Sequence, residues 1–252
     1  METIKKILIS KEGRKFYVTD IDKDMHTQFG FIKSKDIKKA KPGSEVKSNT
    51  NEKFTVLEPS FIDSYNKIKR SAQIIIKKDV GYILAQTGIG KSSRVLDSGA
   101  GSGGFSLFAA NVAKEVVTYD INKESCKLVE DNAEFLGIKN IKVRNKDIYE
   151  GISKEDIGKS GFDLIVLDLT EPWKAVKAAN KALKIGGFLV NYSPCITSTM
   201  IFVDEIMKSK EFIVSNTVDL TETFWHVEGR KVRPSSQGIG HTGFLTFVRK
   251  IK

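Results

Sequence analysis

Asp97-Ser98-Gly99-Ala100-Gly101-Ser102-Gly103-Gly104 decides the fold of this chain. It follows Ser93-Arg94-Val95-Leu96, which reads as a short strand. It precedes Phe105-Ser106-Leu107-Phe108-Ala109-Ala110, which reads as the start of a helix. Strand, glycine loop and helix in that order make a nucleotide cradle. Glycine lacks a Cβ, so the backbone can turn sharply and pass close to a ligand. About twenty residues on, Glu115-Val116-Val117-Thr118-Tyr119-Asp120 reads as a second strand ending in an acid, where a carboxylate can hold ribose hydroxyls. The chain is expected to bind a nucleoside-containing cofactor.

The loop chemistry narrows the choice. Gly99, Gly101 and Gly104 satisfy the dinucleotide pattern G-x-G-x-x-G, so spacing alone does not discriminate. Asp97 does. A carboxylate at the strand end would repel a pyrophosphate seated on the helix N-terminus. It suits a cationic amino-acid ligand without phosphate. S-adenosylmethionine, with its ammonium, sulfonium and adenosine, is such a ligand. A cap on the following helix is the other role open to Asp97.

The 252 residues suffice for one α/β domain and a small additional one. No run of about eighteen apolar residues occurs, so no transmembrane helix is expected. Met1-Glu2-Thr3-Ile4-Lys5-Lys6-Ile7 lacks the apolar core of a signal peptide, and a cytoplasmic location is expected. Cys126 and Cys195 stand far apart, against a disulfide framework or a cysteine zinc site. His26, His226 and His241 have no ligand-like spacing with acids, and no metal is expected. The net charge of +10 favours polyanions such as nucleic acid. Lysines are spread along the chain, so a generally lysine-rich surface is the competing explanation.

Residues 1–58 read as a small β domain. Ile7-Leu8-Ile9-Ser10, Lys15-Phe16-Tyr17-Val18, Gly30-Phe31-Ile32 and Phe54-Thr55-Val56-Leu57 are strand-like, with turn signals between them. Lysines 33, 35, 38, 39, 41 and 47 suit an RNA-touching module; packing or oligomerisation is the alternative. Residues 59–252 form the second domain. Phe61 to Arg70 and Asp79 to Gln86 read as helices, the latter with Asp79 as N-cap. Strands are expected at 94–97, 115–120, 141–145, 162–168, 187–192, 213–224 and 242–249. Helices are expected at 103–113, 123–136, 172–183 and 198–208. Alternation implies a parallel sheet. The last two strands, joined by the polar stretch Val227 to Gly240, are expected to pair antiparallel at one edge. The pattern matches the seven-stranded, Rossmann-like α/β sheet of many methyltransferases. Ligands bind such sheets outside the strand carboxyl ends, where Asp97, Asp120 and Asp168 fall. Asp147 lies two residues beyond Asn145 and suits a contact to an adenine amino group; a loop acid in water is the alternative.

Here the sequence resembles the tRNA (adenine-N1)-methyltransferases that modify position 58 of the T-loop, their archaeal 57/58 members in particular. Arg70-Ser71-Ala72-Gln73, Lys78-Asp79 and Gly81-Tyr82-Ile83 are similar to the segment before that family's cofactor loop. Asp168-Leu169-Thr170-Glu171-Pro172-Trp173 is nearly its D-L-P-E-P-W. Gly229-Arg230, Arg233-Pro234 and Gly240-His241-Thr242-Gly243-Phe244-Leu245 are similar to its C-terminal signature. The resemblance implies Asp168 as the catalytic carboxylate. It implies Gly99, Gly101, Ser102, Gly103, Asp120 and Asp147 around the cofactor, beside Asp97. Gln73, Arg230, Arg233 and His241 would serve the substrate, the last three near it or a neighbouring subunit. It also implies a homotetramer holding tRNA across subunits. Thr170 stands where proline is usual, and Phe224 where an acid is. Ile76-Lys77 stands where relatives carry an aromatic or histidine followed by proline; an aromatic there could stack on a flipped base.

Three rival readings are weighed against this one. A methyltransferase with another acceptor, such as a protein carboxylate, does not predict the Glu-Pro-Trp and C-terminal arginine stretches. A non-catalytic tRNA-binding subunit would be expected to lose the cofactor loop. A dehydrogenase is opposed by Asp97 and by the antiparallel C-terminal strands.

Overall fold

The computed structural model describes residues 2–71, 73–236 and 238–252. The chain divides into two compact units, one of residues to Ile68 with Glu134–Gly137, the other of Lys69–Ala133 and Ile138–Lys252. The first unit thus runs ten residues past the expected boundary at 58. It holds a four-stranded antiparallel sheet in the order Lys15–Val18, Lys6–Ser10, Lys53–Leu57, Glu45–Lys47. Phe54 and Val56 alternate with exposed neighbours and bury with Leu8, Val18, Ile32 and Ile37, the period-2 pattern of a sheet with one covered face. Phe61–Tyr65 is a single helical turn, not the helix expected to Arg70. Asp63 caps it by accepting from the Ser60 amide and hydroxyl.

The second unit is built on a seven-stranded sheet. Its strands are β1 (Arg94–Ser98), β2 (Glu115–Asp120), β3 (Ile141–Asn145), β4 (Phe162–Leu167), β5 (Leu183–Ser193), β6 (Phe212–Asp219) and β7 (Phe244–Lys250). The order is β6-β7-β5-β4-β1-β2-β3. β7 runs antiparallel to both neighbours, and the pairs from β5 to β3 are parallel. The helices are α1 (Lys77–Thr87), α2 (Gly104–Ala110), α3 (Lys123–Leu136), α4 (Val176–Ala182) and α5 (Ile196–Lys208).

β4 shows why the sheet sits between helical layers. Its residues are apolar almost without interruption, as a strand buried on both faces requires. Leu164 and Val166 pack with Val95 and with Val80 and Ile83 of α1 and Phe105 and Ala109 of α2. Ile165 and Leu167 pack with Val176 and Ala179 of α4 and Phe202 and Ile206 of α5. At the start of β1, Arg94 ties the lower edge together. Its guanidinium donates to Glu115 at 2.8 Å and to the carbonyls of Asp156, Ile157 and Gly161.

The expected strands are all present, those at 115–120 and 141–145 with the expected ends and the others with shifted ends. The 213–224 run stops at Asp219, and the polar stretch after it forms the hairpin Trp225–Glu228 and Lys231–Pro234. The 103–113 helix is confined to Gly104–Ala110, because Gly103 takes a left-handed conformation and begins it. The helix expected from Asp79 starts at Lys77 with Ile76 as N-cap. Asp79 therefore lies inside the first turn and caps nothing. Among the described residues no helix is long and apolar enough to cross a membrane.

β1 and β4 stay paired one residue past the end of β4, with the Asp168 amide donating to the carbonyl of Ser98, the last residue of β1, at 2.9 Å. Gly99 follows at φ +91°, and a Cβ built there would lie 2.0 Å from the Asp168 carbonyl oxygen. Gly99→Ala combines this clash with an unfavourable φ. It is expected to cost at least about 2 kcal/mol in urea unfolding, and wild-type stability in that variant would disprove the close approach.

Candidate active site

The glycine loop is held from several directions. Asp120 closes β2 and accepts from the Gly101 amide at 2.9 Å and the Asn122 amide at 2.8 Å. The Ser102 hydroxyl accepts from the Ser71 amide at 3.0 Å. Asn132 of α3 donates to the carbonyls of Ser102 and Lys69 and accepts from the Lys69 amide. This fully buried asparagine staples residues 69–71 to the loop. Sequence reading missed it, since a lone Asn at helical spacing carries no motif.

Two clefts open at the strand carboxyl ends. The first is narrow and is lined by Gln73, Asp97, Ser102 and Asp168 with the glycine loop. The second is wider and is lined by Asp120, Asp147, Ile121, Ile148 and Leu169 among others. Gly99 lines both. Gln73, Asp97, Gly99, Gly101, Ser102 and Asp168 are thus brought together in the first cleft, and Asp120 and Asp147 in the second. Gly103 is buried under the loop, with Leu107 and Val129 where a Cβ would go.

Asp97 does not cap α2. It is buried and accepts from the Thr118 hydroxyl at 3.0 Å. Burial pushes its pKa up to about 7 against the Thr118 hydrogen bond, with the nearby Asp168 carboxylate adding to the rise. Burial also pushes Asp168 up to about 7. Asp147 begins the 3-10 turn Ile148–Glu150 by accepting from the Tyr149 amide at 2.8 Å.

The donor set fits S-adenosylmethionine. Asp97 offers a carboxylate to an amino-acid head. Asp120 and Asp147 flank exposed Ile121 and buried Ile148, a polar and apolar mix that suits an adenosine. Lys146, the cation on this wall, is drawn to Asp156 at 3.7 Å. Among the described residues that line the first cleft there is no Lys or Arg to meet a phosphate.

A buried network backs the first cleft. Lys78 and Asp79 pair at 2.7 Å, their side chains 8% and 0% exposed. The Thr242 hydroxyl donates to Asp79 and accepts from Lys78, each at 2.7 Å. The Tyr192 hydroxyl donates to the Thr242 carbonyl at 2.7 Å. Tyr192 is pushed up to about 12 by burial and by the charges of Asp79 and Asp168. Two segments some 160 residues apart are tied here beside Asp168. Sequence reading noticed each motif and missed their contact.

The remaining candidates lie elsewhere. His241 bonds the Pro194 carbonyl through Nε2 at 3.1 Å and Asp219 through Nδ1 at 3.2 Å, and packs on Phe244. The Pro194 carbonyl and Asp219 raise its pKa. Arg230 sits in the turn of the 225–234 hairpin and Arg233 on its second strand, paired across to His226. Both are exposed and line neither cleft.

The family of tRNA methyltransferase complex GCD14 subunits matches residues 65–232. A Methanocaldococcus jannaschii protein, tRNA (adenine(57)-N(1)/adenine(58)-N(1))-methyltransferase TrmI, is 30% identical over 97% of this chain and 94% of its own. Its Thermus thermophilus counterpart, tRNA (adenine(58)-N(1))-methyltransferase TrmI, is 28% identical over 98% and 96%. The solved structure of tRNA (m1A58) methyltransferase TrmI from Aquifex aeolicus superposes with TM-score 0.80 at 23% identity, covering 100% of this chain and 99% of that one. A SAM-dependent O-methyltransferase from Thermotoga maritima gives TM-score 0.86 at 24% identity, covering 100% and 94%. Below 25% identity these two structures speak to the fold.

Two outcomes follow from the buried charges. Asp79→Ala leaves Lys78 without its buried partner and is expected to cost about 3–5 kcal/mol in denaturant unfolding; a loss under about 1 kcal/mol would mean the pair is solvated. Asp97 has a folded pKa raised above its unfolded value. Its contribution to stability is therefore complete below about pH 4 and is lost as pH rises through about 7. Asp97→Asn removes this dependence. The variant should gain on the wild type between pH 4 and 8, by on the order of a few kcal/mol without ligand. Parallel stability curves would show that Asp97 does not titrate in this range.

Proposed function

The chain belongs to the GCD14 family of tRNA methyltransferase subunits, and we propose from that premise what its clefts do. It transfers a methyl group from S-adenosylmethionine to N1 of the adenosine at position 58 of the tRNA T-loop. The observation that carries this reading is the placement of Asp168: a half-buried carboxylate in the first cleft, against Gly99, which lines both clefts, with no cation paired to it among the described residues. The Methanocaldococcus relative is named for positions 57 and 58, so adenosine 57 is the second acceptor to examine.

S-adenosylmethionine, when bound, supplies a methyl group on a sulfonium. Asp97 holds its amino-acid end, Asp120 its ribose hydroxyls and Asp147 its adenine amino group, while Gln73, which lines the same cleft as Asp168, serves the substrate. N1 lies on the pairing edge of adenine, so the target base must leave its stack to reach the cleft. Alkylation at N1 places positive charge on the ring. Ionised Asp168 stabilises that charge as it develops and can accept a proton from N6. Burial, which raises its pKa, also strengthens its attraction for the cationic ring.

A homotetramer is part of the proposal. The 225–234 hairpin exposes Trp225, Val227 and Val232 at 59%, 74% and 59%, apolar area that a second copy would cover. Arg230 and Arg233 on this hairpin would then reach tRNA at a neighbouring subunit. The lysine-rich N-terminal unit is proposed to touch RNA as well.

The test is methyl transfer from labelled cofactor to unmodified tRNA, with nucleoside analysis. N1-methyladenosine in the T-loop is expected; another methylated nucleoside would overturn the acceptor. Asp168→Ala should lose at least about 100-fold in kcat and still bind S-adenosylhomocysteine. Wild-type kcat should climb with pH through about 7 as Asp168 ionises. Undiminished turnover in Asp168→Ala would remove its catalytic role.

A further inference from the structure

An open groove lies beside the second cleft, between the 149–157 segment and α4 with the turn before it. Lys154 stands on one wall, and Lys174, Lys177 and Lys181 on the other. The latter three are spaced by three and four residues, so they share one face of the helical segment. Ala175, Val176, Ala179 and Ala182 bury the opposite face in the core. The stripe spans about 10 Å along the helix. Lys174 is paired with Glu171 at 2.6 Å. Among the described residues no carboxylate lies within ion-pair distance of Lys154, Lys177 or Lys181, and all three are exposed. Glu150 is the carboxylate on the groove wall.

Tyr149 joins the groove to the active site. It lines both the groove and the second cleft, and its hydroxyl accepts from the Glu171 amide at 3.3 Å. A half-exposed aromatic ring at the head of a basic channel is the arrangement that suits a single nucleic-acid strand, with phosphates along the lysines and a base against the ring. Lys154, Lys177 and Lys181, three like charges on one groove with no ion-pair partner among the described residues, repel one another until a polyanion meets them.

We propose that this groove carries the phosphate backbone of the tRNA strand that leads to the target adenosine. The proposal rests on tRNA being the substrate. Lys154, Lys177 and Lys181 hold the phosphates, and Tyr149 marks where the strand turns into the cleft. These residues act on RNA affinity and leave the reacting atoms alone.

The experiment compares two full-length triple variants of equal charge. One is Lys154→Glu/Lys177→Glu/Lys181→Glu in the groove. The other is Lys91→Glu/Lys114→Glu/Lys139→Glu, at exposed positions just before β1, β2 and β3, the opposite end of the strands. Binding of an unmodified tRNA transcript is followed by fluorescence anisotropy across a salt series. The groove variant should bind at least about 10-fold more weakly, with a log K against log salt slope shallower by about 2 to 3. The control should change by less than about 3-fold, the part owed to net charge. Both should keep wild-type affinity for S-adenosylhomocysteine and wild-type kcat at saturating tRNA. Equal weakening in the two variants would reduce the effect to net charge and overturn the proposal. Unchanged tRNA binding in the groove variant would also overturn it. Groove-dependent binding without N1-methyladenosine formation would sustain the groove and reject the reaction, so the two readings fail separately.

Discussion

The approach of Gly99 to the Asp168 carbonyl is the constraint on which the site depends. The carboxyl ends of β1 and β4 converge there, and no side chain fits between them. The contact places the glycine loop against the residue that ends β4. Asp97 and Asp168 then face one cleft, and Asp120 reaches across from β2 to hold the Gly101 amide. Acids at adjacent strand ends repel one another and resist burial. The close packing of the two strands keeps them together nonetheless, and that tension is what makes the site attractive to a cation.

The walls around this core are held by polar contacts between distant segments. Asn132 fastens residues 69–71 to the loop from one side. Lys78, Asp79, Thr242 and Tyr192 fasten the start of α1 to the chain entering β7 from the other. Both sets are buried and satisfied, so each fixes a geometry more than it adds net stability. Chemistry in the first cleft depends on both, because they hold the segments on either side of Gln73 and the strand beside Asp168.

Much of this was legible in the residues. The glycine loop, the acid at the end of β2 and the apolar run of β4 ending in Asp168 each follow from local periodicity. Their order predicts the parallel sheet. Helix ends were less legible. Asp79 has the chemistry of an N-cap, but a buried ammonium and hydroxyl nearby draw its carboxylate inward, and Ile76 takes the cap position. Asp97 likewise looks like a cap and is instead enclosed by the sheet with Thr118. Val227 to Gly240 read as a polar connection, yet Trp225–Glu228 and Lys231–Pro234 form a hairpin, since the exposed Trp225, Val227 and Val232 leave no alternation of buried and exposed positions to read.

By itself, then, the amino-acid sequence determined the element order, the glycine loop and the acids at the strand ends, because these depend on spacing within about thirty residues, the length of one strand-helix-strand unit. The tertiary structure decided which of those acids share a cleft, which are buried deeply enough to titrate near neutrality, and which lysines gather without counter-charge. Those properties depend on distance through space and on exclusion of water. Neither is encoded at any fixed separation along the chain.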